Sequence, residues 1–493
     1  MSFLSRRQFL QDSAALAALA GTGLLAPAAE KAKEGKNGEI SDRLHVAVVG
    51  VHGRGMEHVR GFANKNNCII TTICDADEAV IGPAMSYVEE KQGKPPQFEQ
   101  DLRKVLEDKS IDIVTIATPN HWHALAAIWS MQHGKDVYVE KPVSHNVSEG
   151  RRIVETARKY NRICQTGTQS RSSTGMREAM QFLHDGKLGT VKLARGLCYK
   201  LRGSIGKVHE AQPTPKSVNY DLWSGPAPLK PLMRESLHYD WHWQWDYGNG
   251  DLGNQGIHEM DKARWGLGKD GLPRSVVSFG GRFAYVDDGE TANTQVVVHD
   301  YGDSQLIFEV RGLPSDNPYP EKVAAKAGKH GDNFVGNIFH ATEGVLVCPS
   351  YTGALALSND GEVIKEFRGG DDHFGNFVKA VRSRRVEDLN ADILEGHLSS
   401  ALCHLGNISY RLGTEQRLGH KPKAPANDKE TQAAFERFVV HVADKLGPLD
   451  KISYRAGVRL ELDPQTEAFI NNPHANTLLT REYRKGFEVP DKV

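Results

Sequence analysis

The sequence predicts an α/β fold built on a doubly wound parallel sheet, and three observations lead to that prediction. Short apolar runs rich in β-branched residues alternate with stretches of helical periodicity across residues 44–166. The first apolar run ends in a glycine-rich turn that opens a helix, and the run at 135–139 ends directly in Glu140-Lys141-Pro142. Strands and helices that alternate at this spacing are typical of βαβ units with parallel strands.

Length and charge set the broad class of the protein. A chain of 493 residues is too long for one hydrophobic core, so two or more domains are expected. The net charge is −1. No basic stripe is present, so we expect no nucleic-acid partner.

The amino terminus has the pattern of an export signal. Arg6 and Arg7 precede an Ala/Leu run at 14–26 and the small-residue site Ala26-Pro27-Ala28. The run is too short and small-sided to span a membrane in the mature protein, and paired arginines before it match the twin-arginine signal. We therefore predict a signal peptide at 1–29, a linker at 30–42, a periplasmic or otherwise exported protein and no membrane attachment after cleavage. An ordinary amphipathic leader is the alternative.

Six cysteines show neither a C-x-x-C motif nor the spacing of metal ligands. No metal site is predicted. Buried free thiols are the expected state, and disulfides stay an alternative because an oxidising periplasm permits pairing.

The glycine-rich turn predicts a dinucleotide site. Residues 50–55, Gly50-Val51-His52-Gly53-Arg54-Gly55, lie between a predicted strand and a predicted helix, which is the context that gives such a motif meaning. Glycines let the backbone approach a pyrophosphate, and the helix amino terminus favours its charge. His52 stands where the second glycine is usual, so Gly53 is expected to take that role. Asp75, directly after the next strand, suits an adenosine ribose and repels a 2′-phosphate, which predicts NAD rather than NADP.

Lys141 is a candidate for chemistry because it follows a buried strand at the edge where α/β sheets bind ligands. Pro142 disfavours the helical conformation at Lys141. A lysine at this position carries a flexible ammonium group whose pKa its neighbours can shift. The alternative is a solvated Lys-Pro turn.

The glycine turn, Asp75, Ala117-Thr118-Pro119-Asn120 and Glu140-Lys141-Pro142, in this order and spacing, resemble the glucose–fructose oxidoreductase, inositol dehydrogenase and rhizopine-catabolism superfamily (Gfo/Idh/MocA). The resemblance implies an NAD-binding Rossmann domain at 43–166 and an α/β domain at 167–415. The open, mostly antiparallel sheet of this second domain would face the nicotinamide on one side and form a homo-oligomer contact on the other. It also implies a cis Lys141–Pro142 bond. Residues 416–493 would form a charged extension whose aromatic end braces an oligomer.

A histidine in the second domain completes the expected catalytic pair. Asn254, His258 and Asp261 fall at helical spacing, so they are expected to share one face. The family pattern has Asp and His four residues apart, the His accepting a proton beside the Glu-Lys-Pro lysine. His258 matches, whereas Asn254 replaces the aspartate that would orient the imidazole. We predict Lys141 and His258 as catalytic residues and a structural role for Asp261.

An unusual aromatic stretch at 238–250 suggests carbohydrate binding, because aromatic faces stack on sugar C–H groups and polar neighbours bind hydroxyls. The tryptophans could instead form a core plug or an oligomer contact. The predicted cofactor residues are Gly50, His52, Gly53, Arg54, Gly55, Asp75, Thr118, Pro119, Asn120, Trp122, His123, Glu140 and Lys141. The predicted substrate residues are Gln169, Arg171, Tyr239, Trp241, His242, Trp243, Trp245, Tyr247, Asn254 and His258.

These residues suit hydride transfer between a carbinol carbon and nicotinamide, with His258 as base and Lys141 as donor to the same oxygen. An exported enzyme meets no NAD pool, so each turnover would have to restore the cofactor. The family resemblance implies two such reactions, sugar–sugar dismutation and glycoside cleavage through transient C3 oxidation. The aromatic site favours the glycoside, with Tyr239, Tyr247 or His242 serving elimination. A dehydrogenase that uses a periplasmic acceptor and a non-catalytic NAD- and sugar-binding sensor stay open.

Overall fold

The computed structural model describes residues 42–324, 333–370, 372–419 and 428–493. The predicted signal peptide and nearly all of the predicted linker lie outside the described residues.

The first sheet has six parallel strands in the order β3-β2-β1-β4-β5-β6. Its strands are apolar and buried because helices cover both faces of the sheet. The strands are β1 (Leu44–Val49), β2 (Cys68–Cys74), β3 (Gln97–Glu99), β4 (Ile113–Ile116), β5 (Asp136–Val139) and β6 (Cys164–Thr166). The helices are α1 (Gly55–Phe62), α2 (Gly82–Gln92), α3 (Leu102–Glu107), α4 (Asn120–Gln132) and α5 (Val147–Lys159).

The register of this sheet brings the predicted motifs to one edge. Val49 pairs with both Cys74 and Ile116, and Val139 pairs with both Ile116 and Thr166. The residues that follow these strands therefore lie side by side at the carboxyl edge, where α/β sheets bind ligands. The reversal of strand order between β1 and β4 opens the crevice there.

The second sheet has twelve strands, with a main path β14-β13-β12-β11-β7-β10-β9-β8-β16-β15. Strands β7 and β10 are parallel, and the other pairs are antiparallel. The strands are β7 (Val191–Tyr199), β8 (Ser275–Gly281), β9 (Thr294–Asp300), β10 (Gln305–Arg311), β11 (Phe334–Ala341), β12 (Gly344–Cys348), β13 (Gly353–Ser358), β14 (Val363–Arg368), β15 (Thr414–Arg417), β16 (Ser453–Ala456), β17 (Leu460–Asp463) and β18 (Ala468–Phe469). The helices are α6 (Thr174–His184), α7 (Tyr220–Ser224), α8 (Ile257–Gly266), α9 (Glu321–Ala324), α10 (His373–Ser383), α11 (Ile393–Arg411), α12 (Lys429–Leu446) and α13 (Pro473–Thr477).

The two faces of the second sheet are covered differently. Helices α6, α8 and α11 pack apolar side chains onto one face. On the other face, Phe435, Phe438 and Val442 of α12 pack against β8, β9 and β10. Over β8, β9 and β10, the face that the family resemblance assigns to an oligomer contact is therefore covered by the chain's own helix α12.

The aromatic end of the chain packs on the first domain. The ring centroids of Phe487 and Trp122 are 5.7 Å apart. The Tyr483 hydroxyl donates a hydrogen bond of 3.0 Å to the Glu149 carboxylate. Both side chains are therefore used within the chain, and the role of this end in an oligomer stays a prediction. The sequence also missed β15 to β18, which are short and lack a long apolar pattern.

The predicted fold class is confirmed, and the Lys141–Pro142 bond is cis, as expected. All six cysteines are buried free thiols. Within the described part of the chain, no helix has the length and apolarity needed to cross a membrane, and no acidic, histidine or cysteine side chains are grouped to hold a metal ion.

Buried histidines predict acid-sensitive folding. Burial lowers the pKa of His121, His299 and His404 to about 3. Below pH 6.5, the approximate pKa of histidine in the unfolded chain, the unfolded chain binds protons that the folded chain does not bind. The free energy of unfolding is therefore highest above that pH and falls as the pH drops toward 3. Each histidine contributes a slope of up to about 1.4 kcal/mol per pH unit in this window.

We expect His299→Leu to flatten this slope. Both ring nitrogens of His299 are buried without a hydrogen-bond partner among the described residues, so leucine removes a titrating group without removing a hydrogen bond. Urea unfolding at several pH values between 4.5 and 7.5 would measure the slope. Replacement of the exposed His133 by alanine is the control and should leave the slope unchanged. An unaltered slope in His299→Leu would contradict the assignment.

Candidate active site

A cavity of about 560 Å³ lies at the carboxyl edge of the first sheet and extends to helix α8 of the second domain. It brings together most of the residues predicted from sequence. The predicted cofactor residues that line it are Gly50, His52, Gly53, Arg54, Asp75, Thr118, Pro119, Asn120, Trp122, His123, Glu140 and Lys141. The predicted substrate residues that line it are Gln169, Tyr239, Trp241, His242, Asn254 and His258.

The glycine turn has the shape that a dinucleotide needs. A Cβ atom at Gly50 would lie 2.8 Å from the backbone of Ala117 and Thr118, so only glycine fits where the turn meets the end of β4. Gly53 has φ +83° and open space beside it, so its backbone is accessible from the cavity. The residues present therefore fit a bound dinucleotide pyrophosphate.

Asp75 holds the turn from the neighbouring strand. Its carboxylate accepts hydrogen bonds from the backbone N–H groups of Val51 at 2.9 Å and Asp77 at 3.0 Å. Burial raises the pKa of Asp75, and these two hydrogen bonds oppose that effect. Asp75 thus stabilises the glycine turn and also lines the cavity where an adenosine ribose is expected.

Glu140 organises the other end of the turn. Its Oε1 accepts hydrogen bonds from Arg54 Nε at 2.8 Å and from Gln169 Nε2 at 3.4 Å, and lies 3.2 Å from His58 Nε2. Burial alone would raise its pKa, but Arg54, His58 and Lys141 hold the pKa of Glu140 well below its usual range. The carboxylate therefore stays ionised beside Lys141.

Lys141 is held by the second domain. Its Nζ donates a hydrogen bond of 2.8 Å to the carbonyl oxygen of Asn254. Asn254 belongs to a π-helical turn, Leu252–Gly256, which leads into α8. Such turns recur at functional sites. Burial lowers the pKa of Lys141, and the Glu140 carboxylate opposes that effect.

His258 lies on α8 and is 7% exposed. Its Nδ1 is buried without a hydrogen-bond partner among the described residues, which leaves Nε2 as the nitrogen able to meet a ligand. Burial and the nearby Lys141 charge hold its pKa well below the usual range, so the imidazole is neutral at neutral pH. Asn254 instead donates to Asp251 at 3.3 Å, so it does not replace the aspartate expected to orient the ring.

The first turn of α4 supplies the opposite wall. His123 has one ring nitrogen 2.6 Å from the Pro142 carbonyl oxygen and the other 2.7 Å from the Thr118 carbonyl oxygen, so it ties the two strand ends together. Asn120 donates to Asn249 at 3.1 Å, which joins this wall to the second domain.

Residues 200–247, which we call the strap, run from β7 back over the first domain. Val218 of the strap pairs with Asp77 in an antiparallel bridge, and Asn219 N–H donates to the Ala76 carbonyl at 2.8 Å. His238 Nε2 donates to the Asp77 carboxylate at 2.8 Å. The strap is thus bonded to the loop that directly follows Asp75.

The strap is fastened at a second point. His121 Nε2 donates to the Trp223 carbonyl at 2.9 Å, and Trp122 Nε1 donates to the Leu222 carbonyl at 2.8 Å. From the chain end, Arg484 Nε donates to the Gly225 carbonyl at 2.9 Å. Leu222 and Trp223 line the cavity, so the strap forms one of its walls.

Five predicted site residues lie away from the cavity. The prediction that Arg171 binds substrate is corrected, because its guanidinium forms ion pairs with Asp261 and Glu395, both at 2.9 Å. Arg171 is thus used in packing the second domain. Trp243 and Tyr247 are buried within the strap, Trp245 packs against Arg411, and Gly55 lies under Gly50. The alternation of aromatic and polar residues along 238–250 does not predict which rings line the cavity and which are buried within the strap.

Sequence reasoning missed Tyr351, Trp223 and His238, which line the cavity. The Tyr351 ring lies 4.8 Å from the His258 ring, and its hydroxyl accepts a hydrogen bond of 2.7 Å from Gln255 Nε2. Tyr351 follows a strand of the second sheet, and no local motif marks it. Trp223 was a usable signal, because a tryptophan in an irregular Pro-rich region needs a partner surface.

Two family profiles match this chain. Residues 44–168 match the Gfo/Idh/MocA oxidoreductase family with an NAD-binding Rossmann fold, and residues 185–441 match the carboxyl-terminal α/β domain of the same family. The chain belongs to the Gfo/Idh/MocA oxidoreductase family. The predicted family, the NAD-binding domain and the cofactor NAD are confirmed.

Curated relatives of this Gfo/Idh/MocA protein match part of it. An alpha-N-acetylgalactosaminidase of Shewanella oneidensis is 30% identical over 241 residues, which cover 45% of this chain and 50% of that protein. A glycosyl hydrolase family 109 protein of Shewanella pealeana is 34% identical over 180 residues, which cover 33% of this chain and 38% of that protein. The chain thus spans half or less of the length of these relatives.

Solved structures share the fold of this Gfo/Idh/MocA chain. The WlbA dehydrogenase of Bordetella pertussis, in complex with NADH and UDP-GlcNAcA, is 18% identical and superposes with a TM-score of 0.53, covering 75% of this chain and 97% of that chain. A levoglucosan dehydrogenase in complex with NADH and levoglucosan is 16% identical with a TM-score of 0.52, covering 74% of this chain and 96% of that chain. At these identities the likeness concerns the fold alone.

Proposed function

We propose that this protein is an exported glycosidase that uses a permanently bound NAD. The sugar C3 carbinol is oxidised to a ketone, the aglycone leaves by elimination across C2 and C1, water adds, and the ketone is reduced again. The observation that carries the proposal is that Lys141 and His258 line the same cavity that the strap walls in beside Asp75. The names of the curated relatives also support a glycosidase.

The redox step is assigned to Lys141 and His258. NAD, when bound, supplies the two-electron acceptor and donor. The neutral imidazole of His258 accepts the C3 hydroxyl proton, and Lys141 donates a hydrogen bond to the same oxygen as charge develops there. Burial lowers the pKa of both groups, so His258 starts the reaction unprotonated, as a proton acceptor must, and Lys141 releases a proton more readily than it would in water.

Elimination needs one further proton acceptor and one donor, and two groups of the cavity wall suit these roles. His242 Nδ1–H donates to the Tyr239 carbonyl at 2.5 Å, which leaves Nε2 as an acceptor, and burial lowers the pKa of His242 to about 3. Burial raises the pKa of Tyr351, so its hydroxyl keeps its proton and can donate. Two groups with pKa values moved apart are a common acid–base arrangement.

Export and assembly are proposed from sequence features. The twin-arginine pattern at Arg6 and Arg7 supports export in the folded, cofactor-loaded state, which fits a captive NAD. A homo-oligomer is proposed from the family resemblance alone.

The decisive experiment is purification without added cofactor, followed by a panel of p-nitrophenyl glycosides. We expect about one NAD per chain and nitrophenol release with neither NAD nor an electron acceptor added. Conversion of sugar pairs to lactone and polyol would favour dismutation instead. Turnover that begins only with an added acceptor would favour a dehydrogenase, and bound NAD with no reaction would favour a sensor.

A further inference from the structure

Tyr239 in the strap has a strained backbone. Its φ is +69° and its ψ is −48°, and it is the central residue of a γ-turn in which Asp240 N–H donates to the His238 carbonyl at 2.9 Å. This conformation is rare and strained for a residue that carries a side chain. Glycine would adopt it more easily, so the tyrosine side chain must be retained for another reason.

Burial does not explain the tyrosine, because its side chain is 52% exposed. The structure nevertheless fixes its position. Arg202 NH1 donates to the Tyr239 hydroxyl at 2.9 Å, and Arg202 is itself held by Asp251 through bonds of 2.9 and 2.7 Å. Asp251 is buried at 1% exposure. A buried ion pair thus anchors an exposed aromatic ring, as is expected of a ligand contact.

The ring lies where the cavity opens to solvent. Tyr239 lines the cavity, and its ring centroid is 4.7 Å from that of His242, whose ring stacks on Trp241 at 3.6 Å. His258, in contrast, is 7% exposed at the inner wall. A ligand oxidised beside His258 and longer than one sugar would therefore extend toward Tyr239.

We propose that Tyr239 is the platform for the leaving group of the glycoside, that is, for the sugar or aryl group beyond the sugar that is oxidised. The inference rests on the proposed function and adds the residue that selects substrates with a bulky aglycone. Aromatic faces bind sugar C–H faces and aryl rings alike. The strained turn is retained because it presents the ring face to the cavity mouth.

The test compares Tyr239→Ala with Tyr239→Gly, which lose the same ring and differ in backbone strain. The probes are the p-nitrophenyl glycoside cleaved fastest in the panel and its free sugar, the latter followed by reduction of bound cofactor. Both variants should raise KM for the glycoside about 5- to 10-fold with kcat within about 2-fold, since stacking contributes to binding. Response to the free sugar should not change.

Stability gives an independent readout. Tyr239→Gly should melt about 1–3 °C above Tyr239→Ala, because only glycine relieves the strain. Tyr239→Phe keeps the ring and should keep KM within about 3-fold, since the stacking face is unchanged. The exposed Met233, elsewhere on the strap, provides the control Met233→Ala, with no change expected.

Three outcomes would overturn the inference. An equal loss of response to the free sugar would place Tyr239 against the oxidised sugar. An unchanged KM in both variants would deny it a ligand role. If the wild-type protein cleaves no glycoside, the proposed function fails and this inference with it, whereas cleavage with unaffected variants removes the inference alone.

Discussion

Replacement of His258 by alanine is expected to lower kcat by about 10³-fold or more while the bound NAD stays in place. The loss follows from removal of the proton acceptor, a contribution of about 10² to 10⁴ in rate, together with a cavity beside Lys141. Substrate should also fail to reduce the bound cofactor, because the first chemical step is blocked. Turnover, near-ultraviolet absorbance after substrate addition and NAD content after denaturation would measure the three quantities.

The matched comparison is Asp75→Ala, for which the opposite pattern is expected. Asp75 accepts two backbone hydrogen bonds beside the cavity. It follows β2, which is separated from β5, the strand before Lys141, by β1 and β4, so its loss should release NAD. Activity should then return on addition of NAD. His133→Ala, an exposed histidine at the end of α4, should match the wild type. If His258→Ala empties the site while Asp75→Ala keeps its NAD and loses turnover, the assigned roles are wrong.

Replacement of Trp223 by alanine is expected to make the NAD that we propose is captive exchangeable. Trp223 is 4% exposed, lines the cavity and anchors the apolar cluster of the strap with Val218, Leu232, Leu237, Trp241 and Tyr247. Removal of a buried tryptophan side chain costs about 3–5 kcal/mol, and this cluster is separate from the cores of both sheets, so the loss should loosen the strap first. We expect the dissociation half-time of NAD to fall about 100-fold, which corresponds to about 2.7 kcal/mol of that cost.

Exchange of bound NAD for a labelled NAD in solution, followed by gel filtration, would measure this half-time. Leu229→Ala changes an exposed strap residue and is the control. Rapid exchange in the wild type would remove the argument for a captive cofactor. Slow exchange in Trp223→Ala, with an intact melting transition, would show that the strap does not retain NAD.

The cofactor site could be predicted from sequence because its parts are local. Gly50 and Glu140 each follow a strand, and the strands of one parallel sheet end at one edge, so motifs that follow strands are expected to meet at that edge. His258 could be predicted because the family resemblance assigned it a role that its own helix does not reveal.

Other residues had no such local signal. Arg171 looks like a ligand contact in the sequence, yet Asp261 and Glu395, 90 and more residues away along the chain, neutralise it. Tyr351 is an ordinary loop tyrosine until the second sheet places it beside His258. Tyr239 carries its strain in backbone angles that sequence periodicity does not report.

The sequence by itself determined the Rossmann fold, the preference for NAD and the position of Lys141, because hydrophobic period, turn chemistry and strand ends act over a few residues. The role of His258 followed from the family resemblance instead. Only the tertiary structure decided that the strap forms a wall of the cofactor cavity, that the chain end fastens the strap, and which aromatic rings line the cavity. These features depend on contacts between segments about 100 or more residues apart, such as His121 with Trp223 and Gly225 with Arg484, which a local sequence pattern does not specify.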